Sequence, residues 1–165
     1  YWIALVFGGG VRIREWHPWA GIVFAIVLAI MSWSWARQMF LDSCDLKWLS
    51  QSREYLTHES KEMPESGRFN AGQKVLFWLQ ISATTLLLGS GLILWWPQTM
   101  PRVLLLASIV IHPVAAIISL TAIVVHIYMG TIGVPGSFKG MVRGWVPVSW
   151  AMSHHSRWYR ENSKN

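Results

Sequence analysis

Residues 111–130 read IHPVAAIISLTAIVVHIYMG, so two histidines, His112 and His126, stand fourteen residues apart in an otherwise almost wholly apolar run. On a helix this spacing separates them by about 21 Å and leaves the rotation about 40° short of four turns. The two rings therefore share one helix face at different heights. A third histidine, His17, opens a second apolar stretch with HPWAGI at 17–22. Imidazole nitrogens are axial ligands of haem iron, and one such group near each leaflet suits electrons that cross a bilayer in steps. His17 and His112, on different helices, could clamp one haem between them. The residue four positions after each histidine is small: Gly21, Ala116 and Gly130. Positions i and i+4 lie on one helix face, and a flat porphyrin needs that face clear.

The plain alternative is a membrane histidine that hydrogen-bonds a neighbouring helix, which contributes about 0.6–2 kcal/mol. Zinc is poorly supported, because no further histidine, cysteine or carboxylate lies at membrane depth to complete a tetrahedron. A proton channel is also weak, since no Asp or Glu falls within the apolar stretches. Two prolines follow histidines. Pro18 is expected in a first helical turn, where its missing N–H costs little, and Pro113 is expected to kink its helix and so aim His112.

The elements that must position these residues are legible from charge. The 165-residue chain is 53% apolar and only 13% charged, with 12 tryptophans, a composition that points to a membrane protein. No Asp, Glu, Lys or Arg occurs between Glu15 and Arg37, between Lys74 and Arg102, or between Arg102 and Lys139. Each gap holds the roughly 20 apolar residues that a spanning helix needs. The expected spans are 16–38, 74–96 and 102–132, in an all-α membrane helix bundle forming a single domain over 1–165. Six Lys and Arg lie from Arg37 to Lys74 and five from Lys139 onward, against two before the first span and only Arg102 between the last two. The positive-inside bias places loop 40–73 and tail 136–165 in the cytoplasm. His17 and His112 then lie towards the outer leaflet and His126 towards the inner one. Tryptophans near the span ends, among them Trp16, Trp19, Trp95, Trp96 and Trp145, read as interfacial anchors.

Other features bound the function. The net charge of +6 is explained by membrane loops, so nucleic acid is not an expected partner. The single cysteine, Cys44, excludes a disulfide within the chain, and no C-x-x-C-H motif for covalent haem occurs. Loop 40–73, with Glu54, Glu59, Glu62 and Glu65, is expected to hold a short helix on the membrane surface. The HHSRWYR tail reads as a solvated basic segment. The opening stretch YWIALVFGGGV is too short to span and has no signal-peptide n-region.

One stretch carries a resemblance. GRFNAGQKVLFW at 67–78, joined to HPWAGI, to IHPVAA and VHIYMG in the last span, and to HHSRWYREN at 154–162, resembles the cytochrome b (gamma) subunit of respiratory formate dehydrogenase over nearly the whole chain. The resemblance implies a four-helix protein of the bacterial inner membrane with two b-type haems, in a complex that can assemble into a higher oligomer. Its partners would be an iron–sulfur subunit and a molybdenum- or tungsten-containing catalytic subunit, its surroundings lipid, and its electron acceptor quinone. His17 and His112 match the ligands of the outer haem. His126 matches one ligand of the inner haem and lies close to the quinone, while Asn70, Gly72 and Gln73 match the quinone-pocket motif. The inner haem's other ligand belongs to a first helix absent from this sequence, so one helix is expected to precede it. The residue chemistry agrees, because Asn70, Gln73 and the Gly72 N–H are hydrogen-bond donors, although Asn70 is equally a good helix N-cap. The competing readings are a cytochrome b of a nickel–iron hydrogenase or thiosulfate reductase, and a haem-free membrane anchor.

Overall fold

The computed structural model describes residue 6 and residues 8–51 and 65–163, so Glu54, Glu59 and Glu62 lie outside the described residues. Those residues are helical, without strands. Three helices are long and apolar enough to cross a membrane: Gly10–Gln38, Ala71–Trp95 and Arg102–Gly133. By element they are α1 (Gly10–Trp35, continued by a 3-10 turn Ala36–Gln38), α3 (Ala71–Trp95) and α4 (Arg102–Tyr128, continued by a π turn Met129–Gly133). The short helix α2 (Ser43–Ser50) precedes α3, and α5 (Ser137–Arg143), α6 (Val148–His154) and α7 (Ser156–Asn162) follow α4.

The spans read from charge are recovered, with earlier starts. Helix α1 begins at Gly10, not 16, and α3 at Ala71, not 74. Arg12, Arg14, Glu15 and Lys74 are compatible with helical backbone, so charge marks the end of the apolar stretch and not the end of the helix. Gly8 and Gly9, at φ 78° and 98°, supply the left-handed turn that leads into α1. The early start also corrects the reading of Pro18, which sits inside α1 and not in its first turn. The ring leaves the Arg14 carbonyl without its i+4 donor. Pro113 does the same to Ile109 within α4.

The chain divides into two compact units, Tyr1–Ser34 with Gln80–Leu120, and Trp35–Leu79 with Thr121–Asn165. In the first unit the buried positions are small: Ala83, Thr84 and Ser90 on α3, and Ser108, Ala115 and Ser119 on α4. Helices that pack in lipid approach through small residues and hydrogen bonds, because apolar burial gives no advantage over lipid contact. Gln80 Nε2 donates to Ser119 Oγ at 2.7 Å, joining the two helices directly. Trp19 meets Trp95 edge-on at 5.2 Å, and Trp95 stacks on Trp96 at 4.7 Å.

In the second unit, Asp42 caps α2 by accepting from the N–H groups of Cys44 and Asp45, and Asp45 returns the bond to the Asp42 N–H at 2.7 Å. The tail is not a free solvated segment. The N–H groups of Arg157 and Trp158 both reach the Ser66 carbonyl, at 3.1 and 3.4 Å. His155 Nδ1 bonds the Gly67 carbonyl at 2.9 Å, Arg157 pairs with Asp42 at 2.9 Å, and Arg160 pairs with Glu65. Trp158 between Arg157 and Arg160, and the stacking of Trp150 on His154 at 4.4 Å, give this segment apolar contacts that its charge alone conceals.

Candidate functional site

The first unit brings His17 of α1 and His112 of α4 together, with ring centroids 6.0 Å apart and planes 78° to one another. A metal–imidazole bond is about 2.0–2.1 Å, and a ring nitrogen lies about 1.1 Å from its centroid. Two imidazoles on opposite sides of one metal ion therefore place their centroids about 6.2–6.4 Å apart. The observed spacing is close to that range, so His17 and His112 could hold one iron between their rings. A side chain added at Gly21, one turn after His17, would meet nothing within 4 Å, so that face is open, as a planar ligand requires.

His112 is held from behind by α3. Its Nδ1 lies 2.9 Å from Ser90 Oγ. A Cβ at Gly91 would come within 3.1 Å of His112 Cε1, so only glycine lets the ring rest this close to the helix. Neither Ser90 nor Gly91 was singled out from sequence. The signal lies in the G-S-G of 89–91, three small residues in succession within the run LLLGSGLILWW at 86–96.

The second unit gathers the other four candidates. Asn70, Gly72, Gln73 and His126 all line a cavity of about 1220 Å³, together with His154 and His155. Asn70 and Gln73 form a reciprocal box at the start of α3: Asn70 Oδ1 accepts from the Gln73 N–H and Gln73 Oε1 from the Asn70 N–H, each at 2.9 Å. The box satisfies two otherwise orphan backbone donors. It occupies the carbonyl oxygen of each side chain and leaves each amide NH2 as the donor. Capping and donation to a ligand thus use opposite ends of the same two side chains. Gly72 has a packing role as well, since a Cβ there would lie 3.2 Å from Trp48.

Beneath the box, Lys74 is buried and its ammonium lies 2.6 Å from Asp45 and 3.9 Å from Asp42. Partial burial pushes the Asp42 carboxyl up, but the Arg157 hydrogen bond, the Asp45 N–H and the charges of Lys74 and Arg157 outweigh it and hold the group below its ordinary value. Burial lowers the His155 imidazole, only partly offset by its bond to the Gly67 carbonyl. His155 is therefore neutral near pH 7, with Nδ1–H as the donor to Gly67.

Three helices of spanning length and a facing imidazole pair are the architecture of a membrane cytochrome b. The family model for prokaryotic cytochrome b561 matches residues 1–144, and the chain belongs to that family, whose cofactor is haem b. It is 37% identical to the cytochrome b556(Fdn) subunit of the nitrate-inducible formate dehydrogenase of Escherichia coli, covering 99% of this chain and 76% of that one. Identity to the cytochrome b556(fdo) subunit of an Escherichia coli formate dehydrogenase is 34%, with 99% and 77% covered. The formate dehydrogenase cytochrome b556 subunit of Haemophilus influenzae is 36% identical, with 97% and 68% covered.

Proposed function

We propose that this chain is the membrane cytochrome b subunit of a respiratory formate dehydrogenase, which accepts electrons from an iron–sulfur partner and delivers them to quinone on the cytoplasmic side. The observation that carries the reading is the His17–His112 pair at 6.0 Å, in a chain similar along almost its whole length to formate dehydrogenase cytochromes. The partners are then the iron–sulfur subunit and, through it, a molybdenum- or tungsten-bearing catalytic subunit. Loop 40–73 and the tail face the cytoplasm of the inner membrane, following their excess of Lys and Arg.

His17 and His112 hold one iron near the outer leaflet, and His126 supplies one ligand to a second iron nearer the inner leaflet, whose other ligand comes from outside the described residues. Haem b, when bound, supplies a one-electron carrier at each level. The amide NH2 groups of Asn70 and Gln73 hydrogen-bond the quinone carbonyls, while the capping box holds the opposite, carbonyl ends of the same two side chains. Water at this interface provides the two protons that quinone reduction consumes.

The test uses the intact complex. Formate must reduce the b-type absorbance bands, and added quinone must reoxidise them. A purified complex that turns over formate to quinone with no b-type absorbance would overturn the proposal. Reduction of the bands by hydrogen, or their reoxidation by thiosulfate, with no reduction from formate, would overturn the assignment to formate.

A further inference from the structure

We infer that Ser90 is the positioning residue that fixes the tautomer of His112 and turns its Nε2 towards the iron. The inference rests on His112 being an iron ligand, as proposed above, and goes beyond it by assigning the group that prepares the ligand.

A serine hydroxyl carries one proton and two lone pairs. Ser90 Oγ has three neighbours: the Leu86 carbonyl at 2.6 Å, the Leu87 carbonyl at 3.4 Å and His112 Nδ1 at 2.9 Å. A carbonyl oxygen only accepts, and 2.6 Å is the distance of a made O–H···O bond, so the serine proton lies on Leu86. Were it turned to Nδ1 instead, two oxygen lone pairs would face each other at 2.6 Å. Ser90 Oγ is therefore the acceptor towards the ring, and His112 Nδ1 carries the proton. A neutral imidazole has only one N–H. The lone pair is consequently on Nε2, the nitrogen left free to bind metal.

Burial makes the arrangement exclusive. Ser90 is only 5% exposed, so water does not compete for Nδ1. The close approach of the ring to Gly91 opposes a ring flip that would exchange the two nitrogens. The chain N–H to hydroxyl to carbonyl is also polarised in one direction, which raises the basicity of the nitrogen facing the metal. Ser90 thus does for His112 what a carbonyl or carboxylate does behind many metal-bound histidines.

The experiment compares Ser90→Ala, Ser90→Thr and Ser90→Cys in the assembled complex. It reads the rate of haem loss to a haem-scavenging globin, the midpoint potentials of the b bands, and the electron paramagnetic resonance of the oxidised low-spin haem. Ser90→Ala is expected to speed loss from one haem by about 10–100-fold and to move its resonance position. Weaker donation favours the reduced iron, and a tenfold preferential loss of the ferric form reads as a positive shift of about 59 mV. Ser90→Thr keeps the hydroxyl and is expected to restore parental values. Ser90→Cys, a weaker acceptor of similar size, is expected to lie between and tests the inference should the alanine variant not assemble. Parental haem loss, potential and resonance in Ser90→Ala, or in Ser90→Cys where the alanine variant does not assemble, would overturn it, leaving Ser90 a mere bond to its own helix. The underlying reading fails separately, if His112→Ala retains both haems.

Discussion

The buried pair Lys74–Asp45 offers a perturbation whose size can be worked out. Their side chains are 6% and 8% exposed and their charged atoms 2.6 Å apart. Removing one partner of such a pair leaves an uncompensated buried charge and costs about 3–5 kcal/mol. Asp45→Asn keeps an oxygen for the Asp42 N–H, so it deletes the charge while sparing the α2 cap. Lys74 then retains only Asp42, at 3.9 Å, and the expected cost is near the lower end, about 3 kcal/mol. Lys74→Met leaves the Asp45 carboxylate in the same buried site without its cation, at an expected cost of about 3–4 kcal/mol. With about 2–4 °C of melting shift per kcal/mol for a chain of this size, each single variant should melt about 6–16 °C below the parent. The double variant leaves no buried charge and should recover most of the loss, as replacement of whole buried pairs does. Thermal unfolding of the detergent-solubilised protein, followed by tryptophan fluorescence, measures all three. Single variants that melt within about 2 °C of the parent would refute the reasoning, because the pair would then be solvated and weak.

Asn70 separates capping from ligand binding. Asn70→Asp keeps the capping oxygen but loses the NH2 donor, so the fold should hold while the KM for quinone rises at least about tenfold, the effect of a lost hydrogen bond of about 1.4 kcal/mol; Asn70→Ala should add about 1 kcal/mol of destabilisation, and equal KM values for parent and aspartate variant would count against the donor role. His155 gives a pH dependence. Its folded pKa is lowered by burial, so the unfolded tail binds more protons than the docked one as pH falls below about 6.5. The docking stability is present above that value and lost as pH falls through the lowered folded pKa. Limited proteolysis of the tail should therefore accelerate between pH 7 and pH 5, and His155→Gln should flatten the profile. Gly91→Ala puts a methyl group 3.1 Å from His112 Cε1; displacing the ring by a few tenths of an ångström should cost about 1–3 kcal/mol and broaden the haem resonance, whereas Gly89→Ala, which meets nothing within 4 Å, should leave both unchanged.

The apolar gaps between charges carried the three long helices, because a membrane helix declares itself by what it lacks. Their starts were not legible, since Arg12, Arg14 and Lys74 are as helical as their neighbours and charge reports depth in the bilayer. The His17–His112 pairing followed from residue type and matched height. Ser90 escaped notice because serine is common in membrane helices and its importance lies in a bond to a residue 22 positions away. In the sequence Lys74 marks only the edge of an apolar stretch, and its burial against Asp45, 29 positions earlier, is a tertiary fact with no periodic signature. Docking of the tail is hidden for a related reason: HHSRWYR looks solvated until Ser66 and Gly67 offer it two carbonyls.

The proposed function requires His17 and His112 to bind the same iron. The direct measurement is the haem-to-protein ratio, with the low-spin resonance of the oxidised complex, in His17→Ala, in His112→Ala and in the double variant. Each single variant is expected to lose the same one haem and the same resonance, and the double variant to lose nothing more. Full haem content in either single variant, or loss of different haems by the two, would contradict it.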